Sequence, residues 1–248
     1  MQNWVMAGLW GALGASSLVI GAAVAFLMRM PRWLTAAIMS FGCGVLISAV
    51  AYDLLEDGYQ EGGIAPILVG ATLGSLTYAV ADWLVSQSGG HHRKDSGDRQ
   101  EASSGGGLAI AIGSLLDGIP ESIVLGLTVI SGNGVSIAML AAIFLSNFPE
   151  GLSSAIGMQK AGRSAGYVFG LWTTIALLSA LSSAAGAAFL HGASPQLLAT
   201  VNAVAAGALL TMVVNTMIPE AVQEEQKITG ILVVIGLLVA FALTSVGQ

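Results

Sequence analysis

Charge is what this sequence has least of. Only 9% of its 248 residues are charged, against 55% hydrophobic, whereas a soluble globular domain carries about 25% charged residues. Too few polar side chains remain to cover a water-exposed surface, which excludes an ordinary soluble domain. Cysteine is nearly absent too. Cys43 stands alone in an apolar stretch, so an internal disulfide is excluded and the residue reads as packing. The net charge of −6 comes from 14 acids against 8 bases, with no basic patch suited to nucleic acid. No base precedes the first apolar run, and Arg29 and Arg32 follow it. That order predicts a retained first span rather than a cleaved leader.

Long apolar runs are what the chain has instead. A membrane-crossing helix needs about 20 mostly apolar residues. Such runs fall near 4–28, 34–55, 64–86, 107–130, 135–158, 165–190, 196–219 and 229–246. They are too long for membrane strands and lack the polar alternation of a barrel. The expectation is an all-α polytopic membrane protein, with eight transmembrane helices in a single transmembrane domain over 1–248.

The bases add an orientation. Arg29 and Arg32 fall between spans 1 and 2, and Arg93, Lys94 and Arg99 between spans 3 and 4. Lys160 and Arg163 fall between spans 5 and 6, and Lys227 between spans 7 and 8. All therefore lie on one side, which the positive-inside rule makes cytoplasmic, with both termini outside. The Gly/Ser-rich, charged stretch 87–106 predicts a flexible cytoplasmic loop.

Three acids stand well inside the apolar runs: Asp117 and Glu121 in span 4, and Glu150 in span 5. An ionised side chain at a bilayer centre costs roughly 2.5–3.5 kcal/mol on insertion scales. Acids at that depth usually face a bundle interior and mark an ion or proton path. No Lys or Arg falls within a span to offer the compensating charge, so cations are expected to supply it. Asp117 and Glu121 are four residues apart and share a helix face, as do Ser146 and Glu150, with Asn147 beside them. Pro120 and Pro149 each remove a backbone donor, freeing the carbonyls of Leu116 and Leu145. Irregular backbone at this depth is tolerated where it lines a cavity. Asp117, Glu121, Ser146, Asn147 and Glu150 are thus the candidate metal-ion ligands.

The stretches "DGIPES" (117–122) and "SNFPEG" (146–151) resemble the motifs of the ZIP family of divalent-metal transporters, whose fourth helix reads His-Asn-x-Pro-Glu-Gly. "SFGCGVLISAVAYDLLEDGYQEGG" (40–63) resembles the family's second helix, and "AAGALLTMVVNTMIPEAVQE" (205–224) is similar to its seventh. The resemblance covers nearly the whole chain in order. Glu121, Asn147, Glu150 and Gly151 match the pattern. Asp117 and Ser146 stand where the family has histidine, Gly118 where it has Asn, and Ser122 where it has Gly. The three histidines, His91, His92 and His191, all lie between spans. Family likeness favours zinc, whereas a site made of oxygens suits harder ions such as manganese or iron. Zinc also accepts carboxylates, so both readings stand.

The resemblance implies an inverted repeat of helices 1–3 and 6–8 around helices 4–5, a homodimer in the lipid bilayer of the cell membrane, and alternating access. It implies secondary transport of divalent metal ions toward the cytoplasm, the ion being cargo rather than cofactor. Asp53, Glu56 and Asp57, on one face if helical, read as an entrance, and Glu220 and Glu224 as an exit. His91 and His92 are weaker exit candidates. A non-transporting metal sensor or scaffold of the same fold is the alternative. An enzyme is not expected, since no H-E-x-x-H stretch occurs. Trp4, Trp10, Trp33, Trp83 and Trp172 read as interfacial anchors. Gly70/Gly74 and Gly166/Gly170 read as small-residue packing steps.

Overall fold

In lipid no water is at hand to satisfy backbone N–H and C=O groups, and a helix satisfies them within itself. Each apolar run accordingly folds as a helix. The computed structural model describes residues 3–87, 106–130, 135–224 and 227–247, and no strand occurs among them. Helix α1 spans Asn3–Leu27. Helix α2 runs through Arg32–Ser48, Ala49–Glu56 and Asp57–Gly62. Helices α3, α4 and α5 span Ile64–Val85, Gly106–Ile130 and Ile137–Lys160. Helix α6 is Ala165–Phe189. Helix α7 runs through Pro195–Met212, Val213–Met217 and Ile218–Glu224, and α8 is Thr229–Gly247. By length and composition, seven of these helices are able to cross a membrane, while α8 carries a shorter apolar stretch over Thr229–Thr244.

Two helices outrun their apolar segments. α2 continues past the acidic residues to Gly62 and stops where Gly63 takes φ +80, a left-handed conformation that glycine adopts at little cost. α7 continues through Pro219. Both also contain a widened, π-helical segment, Ala49–Glu56 in α2 and Val213–Met217 in α7. Three helices start on a serine cap: Ser136, Ser164 and Ser194 accept from the backbone N–H of Met139, Tyr167 and Leu197.

The helices pair in a repeated pattern. α1 packs on α5 and α4 on α6; α2 packs on α8 and α3 on α7; α1 and α6 lie against each other. α4 and α5 meet only sparingly and are held mainly by other helices. One apolar core gathers Met39, Cys43, Leu46 and Leu54 of α2 with Leu125, Ile143, Leu209 and Met212. A second joins Leu18 of α1, Leu152 and Met158 of α5, and Trp172 of α6. Trp172 is therefore a core residue at 0% exposure, while Trp4, Trp33 and Trp83 are exposed as anchors should be. A tryptophan seven residues beyond the α6 start points inward because its neighbours on that face, Val168 and Ile175, are buried too. Gly70 and Gly74 press against Ala203 and Val204 of α7, whereas Gly166 and Gly170 face open space.

Segment 87–106, expected as a loop, lies almost wholly outside the described residues, and His91 and His92 with it.

Candidate ion site on helices 4 and 5

Five polar side chains that the motifs single out are buried in the bundle. Exposure is 2% at Asp117, Glu121 and Ser146, 4% at Glu150 and 6% at Asn147. The helical repeat explains this: residues four apart on α4 and on α5 turn the same way, and that way is inward. Both helices run unbroken through Pro120 and Pro149. Beside Pro149 stands Gly42 of α2. A Cβ built at Gly42 would stand 3.3 Å from the carbonyl O of Leu145 and 3.4 Å from Cα of Ser146. That carbonyl is the one the proline leaves without its usual helical donor.

The backbones around the site approach as closely as glycine permits. A Cβ at Gly151 on α5 would overlap the carbonyl O of Leu18 on α1. On α4, a Cβ at Gly126 would overlap the carbonyl O of Ser183 on α6. These contacts fix the rise and rotation of α4 and α5, and so the places their carboxylates occupy.

Several members of this polar layer carry no motif signal. Tyr78 on α3 is buried at 1% exposure, and its phenol O–H donates to Oδ1 of Asp117 at 2.5 Å. Ser114, Ser122, Ser153 and Ser154 are also buried. Ser122 donates to the carbonyl of Gly118 at 2.7 Å and Ser146 to that of Ile143 at 3.0 Å, so each spends its proton on its own helix and keeps its lone pairs. Along both helices the surroundings change. Toward the Lys160 end the buried residues of α4 and α5 include Ser114, Ser153 and Ser154 beside Leu152, Ala155 and Met158. Toward the other end they include Val124, Leu125, Met139 and Ile143.

At the far end of α2 the acidic residues divide. Asp53 is half-buried, with the Thr244 hydroxyl of α8 3.3 Å from its Oδ1. Glu56 and Asp57 are exposed. The segment carrying Asp53 is π-helical, so the three-and-four spacing expected to align it with Glu56 and Asp57 does not apply there. Asp57 nevertheless lies near enough to Asp53, Glu56 and Glu61 for their charges to repel. Near the opposite end, Glu220 is half-buried on α7. Glu224 closes that helix, and its side chain is outside the described residues.

Among the described residues, no three of His, Cys, Asp and Glu gather closely enough to form a ready-made metal cluster. A ligand set drawn from Asp117, Glu121 and Glu150 would therefore need the amide and hydroxyl oxygens beside them, or movement of the helices. Set against known proteins, the chain matches no family model and no curated sequence.

Proposed function

We propose that this protein is a secondary transporter of divalent metal ions, a divergent relative of the ZIP family, passing the ion between α4 and α5 toward the cytoplasm. One observation carries the reading: three carboxylates, Asp117, Glu121 and Glu150, are at most 4% exposed on two apolar helices. The described bases, Arg29, Arg32, Lys160, Arg163 and Lys227, stand at helix ends or between helices. Buried acids in that setting mark an ion path. Asn147 and Ser146 add neutral oxygens, and the buried serines toward the Lys160 end continue the polar lining.

The helix pairing supports the repeat that the family likeness implies. Exchanging α1 with α6, α2 with α7, α3 with α8 and α4 with α5 turns the α1–α5 pair into α6–α4, and the α2–α8 pair into α7–α3. The π-helical segments of α2 and α7 exchange likewise. In this reading eight helices cross the cell membrane with both termini outside, and a homodimer is the working unit. Asp53, Glu56 and Asp57 gather ions at the outer end, and Glu220 and Glu224 receive them at the inner end.

A second reading, a non-transporting metal sensor or scaffold, draws on the absence of a ready-made three-ligand cluster among the described residues. Uptake by protein reconstituted in liposomes separates the two. Zinc, manganese, iron, cobalt, cadmium and magnesium are offered singly and in competition. Saturable uptake of at least one divalent ion is expected. Saturable binding with no flux would favour the sensor, and neither binding nor flux would sink both. For orientation, a cysteine at position 96 should resist impermeant thiol reagents applied outside intact cells.

A further inference from the structure

We propose that Tyr78 is a positioning residue of the ion site, acting through Asp117; the proposal rests on reading α4 and α5 as the path of a divalent cation. Tyr78 belongs to an outer helix. Its neighbours Leu76 and Val80 are 59% and 58% exposed, and α3 packs mainly on α7. Gly74, one turn before Tyr78 on the same face, presses on Val204 of α7 and draws α3 close. From there the phenol enters the core at 1% exposure and reaches α4, 39 positions further along the chain.

The chemistry of the contact follows from its donor. A phenol has one O–H, and here it goes to Oδ1 of Asp117 at 2.5 Å. A carboxylate has about four lone-pair sites over its two oxygens. The bond occupies one of them and stops the group rotating. An ion then meets Asp117 in one orientation. Carboxylates that hold metals are usually held by such a partner in turn, and losing it lowers affinity roughly 10- to 100-fold. Asp117 is also one of the positions at which this chain departs from the family motif. A tyrosine donor suits an aspartate there, because a carboxylate accepts without having to present a free nitrogen.

The test is manganese uptake in liposomes by the parent and by Tyr78→Phe, which keeps the ring and removes the O–H. The half-saturating manganese concentration is expected to rise roughly 10- to 100-fold, with the maximal rate changed far less. The same substitution in an Asp117→Asn background should add little further change, because its effect runs through Asp117. An unchanged half-saturation, a lowered one, or an equal shift in both backgrounds would overturn the proposal. A parent that neither binds nor moves manganese or zinc would overturn the ion-site reading itself, and this proposal with it.

Should Tyr78→Phe fail to fold or Asp117→Asn fail to transport, the chain's tyrosine content supplies another measurement. It has four tyrosines. Changing Tyr52, Tyr59 and Tyr167 to Phe leaves Tyr78 as the sole phenol for ultraviolet resonance Raman. Its hydrogen-bond marker should shift as manganese or zinc is added, saturating with the ion. A marker indifferent to both ions at saturating binding would refute a link between Tyr78 and the site.

Discussion

Helices α4 and α5 carry the same Pro-Glu pair and hold it by different means. On α4 the residue three before the proline, Asp117, is gripped by a side chain, the Tyr78 phenol of α3. On α5 the matching Ser146 turns its hydroxyl to its own helix at Ile143. It is located by bare backbone, with Gly42 of α2 against it and Gly151 one turn on against Leu18 of α1. Close main-chain approach is common to both helices, at Gly126 on α4 and Gly151 on α5. What differs is how the first motif residue is held, by another helix's side chain at Asp117 and by its own helix and backbone at Ser146. Substitutions that change hydrogen bonding at the first motif residue should therefore be felt first on α4, and steric ones at the tight glycines of both helices.

The largest effect tests what the two halves share. Glu121→Ala and Glu150→Ala should each abolish divalent-ion uptake in liposomes at equal amounts of folded protein. If one of them transports normally, a single helix carries the ion and the comparison collapses. Next in size is the steric contrast. Gly151→Val drives a branched side chain into the Leu18 carbonyl and should destabilise by about 1–3 kcal/mol or more. Gly118→Ala places its methyl 3.2 Å from the rotatable Ser179 hydroxyl and should cost well under that. Unfolding in detergent, by heat or denaturant, ranks the two; equal losses would mean that close backbone approach is not what limits substitution at Gly151.

Ion choice sharpens the comparison further. Asp117→His with Ser146→His places nitrogen on both helices and should shift competition toward zinc and cadmium and away from manganese. An unchanged rank order would show that these positions do not set selectivity. The smallest effect concerns the start of α5. Ser136→Ala removes the cap on the Met139 N–H and should cost about 0.5–2 kcal/mol of stability. Its uptake selectivity should match the parent's, and a changed ion ranking would mean that the cap reaches the site.

Hydropathy and the spacing of acids made much of this visible in advance. The eight apolar runs correspond to eight helices, with starts and ends close to those expected for α1, α3, α4 and α6. The misjudged ends are instructive. Expected to stop near residue 55, α2 runs on to Gly62, since Glu56, Asp57 and Glu61 end an apolar run without ending a helix. Only Gly63, with its positive φ, does that. Hydropathy locates the edge of apolar surface, not the last hydrogen-bonded turn. The π-helical segments leave no pattern in one-dimensional spacing, and so the division of Asp53 from Glu56 and Asp57 was hidden.

Among the site residues, the inward direction of Asp117, Glu121, Ser146, Asn147 and Glu150 was legible, because acids on an apolar helix have few other places to go. Tyr78 was not. A single tyrosine in an apolar span fits equally well against lipid, and its meaning comes from a partner on another helix. Trp172 erred in the opposite sense: its type suggests the interface, and packing with Val168 and Ile175 takes it to the core.

The sparse contact between α4 and α5 has a mechanical consequence. Two jaws that scarcely touch do not set their own opening. The spacing between their carboxylates is a calliper setting, read at the site and fixed from outside it, where α1 bears on Gly151 and α6 on Gly126. Under the transport proposal, a methyl group added at either contact changes that gauge, so the size of ion admitted is set in part by residues that never meet it.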